Sequence, residues 1–556
     1  MEENRLDYDW LVIGSGFGGS VSALRLSEKG YRVGVLESGR RFRDRDFPKS
    51  NWNLRRYFWL PRLGLKGFFR ISTFKDVTVV SGSGVGGGSL GYANTLYVPP
   101  RRFFDDPQWA ALNDWEQALA PHYAEAQRML GVVQTTLDDP ADDLLREFGE
   151  HLGVGHTYRK TPVGVFLGEA GKTVPDPFFG GEGPDRTGCT QCGRCMVGCP
   201  VGAKNTLVKN YLWFAERRGA QVVPDRTVID VRPLGAADGS EGYAVTHVPS
   251  GAWRERDKVT VTARGVVVAA GALGTNRLLQ RCRLGGSLPK ISKRLGELVR
   301  TNSEAILAVT VPKDYADDLT RRVAISGSIY PDPDTHIETV TYGKAGDAMS
   351  FMYTLLVGDG TRVTRPLKLV GAALRSPGTF VRLLWPNGWS RRTIIVLVMQ
   401  TLDNAIALRA KRTPFGGIRL TTEQDADRPN PTYIPIANQT AEWLAERTGG
   451  VAQSSLMEAV NIPSTAHILG GAAIAGDPEH GVVDANQRVF GYENLLVCDG
   501  SAVPANVGVN PSLTITALAE HAMSHVPPAA GSADSAASAL GSSAAAPSSG
   551  RAPSPA

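Results

Sequence analysis

The glycine run Gly14-Ser-Gly-Phe-Gly-Gly19 is the feature that most constrains how this chain can fold. It follows an apolar run from Tyr8 to Ile13 and precedes Ser20 to Lys29, whose apolar residues have helical spacing. A second apolar run, Tyr31 to Leu36, ends on Glu37. These segments predict a β-α-β unit whose helix begins at the glycine-rich turn.

Gly14, Gly16 and Gly19 have the G-x-G-x-x-G spacing of dinucleotide-binding turns. The first glycine permits the tight turn, the second lets the backbone approach a pyrophosphate, and the third lets helix and strand pack closely. Free N–H groups at the start of the helix favour phosphate, and Glu37 is positioned to accept a hydrogen bond from a ribose hydroxyl. The pattern predicts a dinucleotide site but does not separate FAD from NAD.

Two later segments favour FAD. Residues 80–90, VSGSGVGGGSL, form a second glycine-rich loop that suits close passage of backbone along an extended cofactor. Asp499 directly follows the apolar run Leu495 to Val497, where a carboxylate can accept from ribitol hydroxyls. Because nicotinamide cofactors have no ribitol, the combination indicates FAD.

The sequence also resembles the glucose-methanol-choline (GMC) family of flavoprotein oxidoreductases, in its cholesterol oxidase-like branch. The resemblance extends to about His525 and is carried by VIGSGFGGSVSALRLSEKGYRVGVLESG, GSGVGGGSLGYANTLYVPP, TAHILGG and CDGSAVPANVGVNPSLTITALAE. It implies an α/β fold: a discontinuous, doubly wound, Rossmann-like FAD-binding domain and an α+β substrate domain on a mostly antiparallel sheet. It further implies non-covalent FAD, since residues 81–100 contain no histidine.

The resemblance and the composition together give a domain division. We expect the FAD-binding domain to comprise residues 7–45, 74–110, 200–300 and 466–525. The substrate domain then comprises 46–73, 111–199 and 301–465, with a Cys-rich insert at 187–205. Residues 526–556 consist mainly of Ala, Ser, Pro and Gly and are predicted to be a disordered tail.

The same resemblance implies alcohol oxidation by hydride transfer to the flavin. His467, in TAHILGG, matches the family's catalytic histidine, a base for the hydroxyl proton, and Asn510 matches its partner. His480 is the nearest competing histidine. Steroid isomerisation in the family uses a glutamate, which we match only loosely to Glu338 or Asp347. The resemblance adds further cofactor-binding residues: Gly82, Gly87, Ser89, Asn94, Val228, Gly271 and Gly500.

The expected substrate is a hydrophobic alcohol, a 3-hydroxysteroid such as cholesterol, with dioxygen as electron acceptor. Residues 55–70 and 365–392 interleave aromatic, aliphatic and basic side chains. They indicate either a peripheral contact with a membrane surface or the wall of an apolar pocket. A hypothesis from another class is a non-catalytic, lipid-binding protein that keeps the flavin fold as a scaffold.

The stretch CTQCGRCMVGCP has the C-x2-C-x2-C-x3-C-P spacing of bacterial ferredoxins. Cys189, Cys192, Cys195 and Cys199 are therefore candidate ligands of a [4Fe-4S] or [3Fe-4S] cluster. An inert turn is the main alternative. Zinc is less favoured because its sites usually use two separated Cys pairs, and disulfides are less favoured in a reducing cytoplasm. With a cluster, the protein would be a dehydrogenase that passes electrons to a quinone or a protein carrier.

Composition and charge exclude some partners and locations. The net charge of +5 is mild and no long basic tract occurs, so we expect no nucleic-acid binding. The polar start MEENRLDYDW and the short apolar runs predict no Sec signal peptide and no transmembrane segment. Four of the six cysteines are clustered, unlike disulfide scaffolds, which favours a cytoplasmic location, peripheral to a membrane at most.

Overall fold

The computed structural model describes residues 6–137, 139–252, 255, 257–413 and 417–530. Two seven-stranded sheets organise this part of the chain. Its strands of three or more residues are β1 Tyr8–Ile13, β2 Val33–Leu36, β3 Phe69–Thr73, β4 Thr78–Gly82, β5 Gln221–Val223, β6 Arg226–Pro233, β7 Tyr243–Pro249, β8 Val259–Val268, β9 Ala305–Thr310, β10 Ile325–Asp332, β11 Thr335–Val340, β12 Tyr353–Leu355, β13 Thr393–Gln400, β14 Ile406–Arg412, β15 Ile418–Gln424, β16 Val451–Ser455 and β17 Leu495–Val497.

Helices of seven or more residues in the described ranges cover the sheets. They are α1 Phe17–Glu28, α2 Trp115–Leu130, α3 Pro140–His151, α4 Tyr211–Arg217, α5 Gly271–Gly285, α6 Thr364–Arg375, α7 Pro377–Leu383, α8 Pro435–Thr448 and α9 Ser512–Ser524. None of the helices in these ranges is both long and apolar enough to cross a membrane.

The first sheet has the order β5-β2-β1-β8-β7-β6, with β17 also paired to β8. Strands β5, β2, β1, β8 and β17 run parallel, and β7 and β6 form an antiparallel extension. Helices α1, α4 and α9 pack together, and α5 packs against β6. Because both faces of the parallel strands are covered, β1, β2 and the end of β8 are continuous apolar runs.

The second sheet is antiparallel, with the order β12-β16-β9-β13-β11-β10 and the pair Arg159–Lys160 at its edge. Helices α8 and α3 pack on it. The predicted fold class, a doubly wound domain joined to an α+β domain, is confirmed. A short strand, Ser464–Thr465, runs parallel to β4 and leads the chain from the second sheet back towards the first.

Two boundaries differ from those predicted. Helix α1 begins at Phe17, three residues before Ser20, because the turn closes at Gly16, its N-cap. The tail prediction began too early: Val526 is buried, Tyr31 donates to the Pro527 carbonyl oxygen at 2.9 Å, and Ala529 N–H donates to Lys29. These contacts fix the chain as far as 529, while residues 531–556 of the predicted tail lie outside the described part of the chain.

Candidate active site

In the glycine turn between β1 and α1, two glycines leave no room for a side chain and one is open to a ligand, as the G-x-G-x-x-G spacing predicts. A Cβ on Gly14, whose φ is +103°, would lie 2.2 Å from the Ala269 carbonyl oxygen, and one on Gly19 would lie 2.0 Å from the Gly14 oxygen. Side chains are therefore excluded at both positions. At Gly16 no heavy atom of the described residues lies within 4 Å of a Cβ position. The backbone is thus open to a ligand where a pyrophosphate would approach α1.

The second glycine-rich loop packs directly on this turn. A Cβ on Gly87 would lie 2.6 Å from the Cα of Gly16, and one on Gly82 would lie 2.7 Å from the Gly87 oxygen. Ser89 is fully buried: its hydroxyl donates to the Gly86 oxygen at 2.6 Å and accepts from Leu207 N–H at 3.1 Å. The backbones of the two loops therefore pack against each other, and the hydrogen bonds of Ser89 hold the second loop in shape.

The two acidic residues assigned to the cofactor are engaged by protein donors. The buried Glu37 carboxylate accepts from Ser15 Oγ at 2.7 Å and from Gly39 N–H at 2.7 Å. Asp499 accepts from Gly271 N–H at 2.8 Å and from Ser501 N–H at 2.8 Å. Each carboxylate offers about four lone-pair sites. Both carboxylates therefore hold nearby backbone in place through hydrogen bonds. Their contacts with ribose and ribitol remain predictions.

The remaining assigned cofactor residues lie in a strand of the first sheet or in segments that follow its strands. Val228 lies in β6 opposite His247, Gly271 is the first residue of α5, and Gly500 follows β17. Asn94 has a left-handed φ of 71° and is fully buried, and neither its Oδ1 nor its Nδ2 has a hydrogen-bond partner among the described residues. An unpaired buried amide is costly. Together with the open backbone at Gly16, it fits a polar cofactor such as a flavin dinucleotide.

His467 is held by a glutamate that the sequence did not indicate. The Nδ1 atom of His467 is in hydrogen-bond contact with Oε1 of Glu304, and Oε2 of Glu304 accepts from Ala466 N–H at 2.8 Å. The Glu304 side chain is fully buried, and that of His467 is 13% exposed. Burial lowers the pKa of His467, but the Glu304 carboxylate outweighs it, so that the net pKa is raised. With Nδ1 bound in this way, Nε2 is left to accept a proton.

Glu338 and Asn510 lie beside this pair. Nδ2 of Asn510 donates to Oε2 of Glu338 at 3.3 Å, while Oε1 of Glu338 and Oδ1 of Asn510 have no partner in the described ranges. Burial raises the pKa of Glu338 to about 8; the Asn510 hydrogen bond and His467 oppose this shift, and Glu304 adds to it. Glu338 is therefore largely protonated at neutral pH, next to a base with a raised pKa.

An aromatic wall flanks Glu338. His336, two residues before it on the same face of β11, stacks on Tyr330 at 4.5 Å between ring centroids and meets the edge of Tyr97 at 5.0 Å. Burial lowers the pKa of His336 to about 3, with His467 acting in the same direction. His336 is therefore neutral, and aromatic rings line this side of Glu338.

The competing assignments lie elsewhere. His480 is on the surface, where its ring contacts Asp477 at 2.8 Å, and its side chain is 67% exposed. Asp347 accepts from Gly388 N–H at 3.0 Å and from Ser390 N–H at 2.9 Å, so it closes a turn. Of Glu338 and Asp347, only Glu338 is in contact with Asn510. Glu304 has no recognisable motif around it and could be found only from its contact with His467.

The four clustered cysteines line one small cavity of about 20 Å³ together with Lys204 and Arg322. All six cysteines are free thiols. Within the described ranges, no group of three or more His, Cys, Asp or Glu side chains could hold a metal ion. The four thiols therefore lie around one cavity, and the iron-sulfur cluster remains a prediction.

Comparison with known proteins identifies the family. Two models of the family described as GMC oxidoreductase match residues 181–297 and 394–519. A cholesterol oxidase of Mycobacterium tuberculosis is 53% identical over 529 residues, covering 93% of this chain and 91% of that protein. One from Acinetobacter baumannii is 50% identical over 537 residues, covering 95% and 96%. Pyridoxine 4-oxidase from Mesorbium loti shares the fold, with a TM-score of 0.58, 16% identity, and coverage of 93% of this chain and 99% of that one. The chain therefore belongs to the GMC oxidoreductase family, whose members use FAD.

Proposed function

We propose that this protein oxidises the hydroxyl of a hydrophobic alcohol, a 3-hydroxysteroid such as cholesterol, to the ketone, with FAD as hydride acceptor and dioxygen as the final electron acceptor. The observation that carries the proposal is the buried group of His467, Glu304, Glu338 and Asn510. The relatives at 50% and 53% identity, both named cholesterol oxidase, support the sterol as substrate.

His467 takes the proton of the alcohol. Bound FAD supplies the hydride-accepting chemistry, so the protein has to remove the hydroxyl proton as the carbon–hydrogen bond breaks. Nε2 of His467 is the available acceptor because Nδ1 is engaged by Glu304. The negative Glu304 stabilises the imidazolium that forms, in the way that a buried carboxylate supports a catalytic histidine. Asn510 lies beside this pair; one N–H of its Nδ2 amide is donated to Glu338, and the second N–H is the donor that orients the alcohol oxygen.

Glu338 is the residue that we propose for steroid isomerisation. Moving a carbon–carbon double bond next to a new ketone requires one group that removes a proton from one carbon and returns it to another. A carboxyl group with a pKa of about 8 can give and take a proton near neutral pH. The aromatic rings of Tyr97 and His336 beside it suit a flat hydrocarbon ring system.

The first experiment follows both products in air. With cholesterol as substrate, we expect one hydrogen peroxide for each ketone formed, and the ketone's double bond moves into conjugation if Glu338 acts as proposed. A dehydrogenase would instead reduce an added dye or quinone and release little peroxide. A Cys192→Ser variant separates these routes. In an oxidase, the substitution should leave peroxide formation unchanged. In a dehydrogenase whose electrons leave through a cysteine-bound cluster, it should abolish dye reduction.

A further inference from the structure

Helices α6 and α7 carry their apolar side chains on the outside. One face of α6 and its N-cap residue is apolar. It consists of Val363, Leu367, Val370 and Leu374, which are spaced by four, three and four residues. Exposure ranges from 55% for Val370 to 77% for Leu374. We call the outer face of α6–α7 the surface made by these residues together with Val381, Leu384 and Trp385, all of which are more than half exposed.

The opposite side of α6 explains this orientation. Arg365 is buried beneath the helix and donates to the Thr432 carbonyl oxygen at 2.6 Å, so the inward position is occupied by a cation. An open cleft of about 580 Å³ lies between α6 and residues 356–358. An ordinary surface helix turns its apolar stripe to the core. Here the stripe faces solvent, and such a continuous apolar surface indicates a binding partner.

The apolar surface extends beyond the two helices. Trp52 and Phe351 are both about half exposed and meet edge to face at 5.8 Å. The short helix Leu456–Ala459 contacts α6, and its Leu456 is also exposed. Segments distant in sequence therefore contribute to one face, with Trp385 at 73% exposure as its largest projecting side chain.

The charged side chains of the segment that forms α6 and α7 are all basic. Residues 360–402 contain seven Lys and Arg and no Asp or Glu. Arg362 is bound to Asp76 and Arg365 is buried, whereas Lys368, Arg375, Arg382 and Arg391 are exposed. Apolar side chains mixed with exposed cations match the acyl chains and phosphates of an anionic bilayer. A second copy of the chain, related by a two-fold axis, would bring two positive faces together.

We propose that the outer face of α6–α7 docks on the surface of an anionic lipid bilayer, with Leu374 and Trp385 inserted among the lipids and the basic residues at the phosphates. The inference rests in part on the proposed function, because a bilayer is where a hydrophobic alcohol dissolves. Docking would let the substrate reach the protein without crossing water.

The test is flotation of the full-length, FAD-loaded protein with sterol-free phosphatidylcholine vesicles, with and without about 20% phosphatidylglycerol. We expect binding to the anionic vesicles that weakens with salt. Leu374→Ser with Trp385→Ser should weaken binding by about tenfold or more, since affinity scales with buried apolar area. Arg375→Glu with Arg382→Glu should remove the preference for phosphatidylglycerol. Val259→Ser, at an exposed valine of β8, is the matched control and should bind as the wild type does.

Three results would overturn the inference. In the first, the wild type binds neither kind of vesicle. In the second, the variant that combines Leu374→Ser and Trp385→Ser binds as well as the wild type does. In the third, sedimentation shows a self-association of the wild type that this variant loses, which would make the face a contact between two copies. Flavin content and the thermal unfolding midpoint establish that each variant is folded. Because the vesicles contain no sterol, this result is independent of whether the proposed oxidation occurs.

Discussion

Replacing Glu304 with glutamine removes one negative charge from His467 and keeps the shape of the side chain. The carboxylate contacts Nδ1 of His467 inside the protein, where solvent screens it little. A contacting opposite charge changes a pKa by about 1–3 units, which corresponds to about 1.4–4 kcal/mol at 1.36 kcal/mol per unit. We therefore expect the pKa of His467 to fall in Glu304→Gln, because the carboxylate that raises it is gone.

The direction of the pH effect follows from the role of the ring. Only neutral His467 can accept a proton, so activity rises with pH through its pKa. Because this pKa is raised in the wild type, the acidic limb lies above the pH expected for an ordinary histidine. In Glu304→Gln the limb should move to lower pH. The plateau at high pH should fall, because a weaker base accepts the proton less readily. The assay is the rate of anaerobic flavin reduction by alcohol in stopped flow, from about pH 5 to pH 9.

The other titrating group facing His467 has to be separated from it. Glu338 has a pKa of about 8, so the profile is also measured in a Glu338→Gln background. Glu458→Gln is the matched control, because Glu458 is another buried glutamate, and it accepts from Ile306 N–H rather than from a histidine. If Glu304→Gln binds flavin but its acidic limb stays in place, or if Glu458→Gln moves the limb equally, our reasoning about Glu304 is wrong.

The other predictions concern the base, isomerisation, the cofactor and the cysteines. His467→Ala should bind flavin but reduce it about 10²–10⁴-fold more slowly, as expected for loss of a general base; a wild-type rate would exclude His467. Glu338→Gln should still form the ketone but leave its double bond unmoved, which ultraviolet absorption detects, and continued isomerisation would assign that step elsewhere. Gly16→Val should fold without flavin, seen as a normal circular dichroism spectrum with no flavin absorption, because the side chain enters the open approach to α1; full flavin content would contradict the site. Iron and acid-labile sulfide should be absent from anaerobically purified protein if the loop containing Cys192 is a packed turn, and stoichiometric amounts would restore the cluster hypothesis.

The parts of the fold that could be predicted are those with local patterns. Strand β17 has the predicted bounds Leu495–Val497, because a buried parallel strand is a short apolar run. The glycine turn could also be predicted from the sequence, because close packing at Gly14 and Gly19 admits no side chain. Helix α1 was placed three residues late because its first turn is made of glycine and phenylalanine, which resemble the end of a loop.

The parts that could not be predicted depend on contacts between distant residues. Glu304 and His467 are 163 positions apart, and the segment around Glu304 has no spacing that reveals its partner. The choice between Glu338 and Asp347 needed the position of Asn510, 172 residues from Glu338. Likewise, the basic and apolar residues at 365–392 fitted both a membrane contact and a pocket wall, and only the outward direction of the α6 stripe favours the former.

Anaerobic mixing of the flavin-loaded protein with detergent-solubilised cholesterol shows whether this site oxidises a sterol hydroxyl. Cholesteryl acetate, which has the same ring system but no free hydroxyl, is the matched control. We expect that cholesterol bleaches the flavin absorption band, that the acetate does not, and that His467→Ala slows the bleaching by about 10²–10⁴-fold. A flavin band left unchanged by cholesterol and by long-chain alcohols alike would contradict the proposed function.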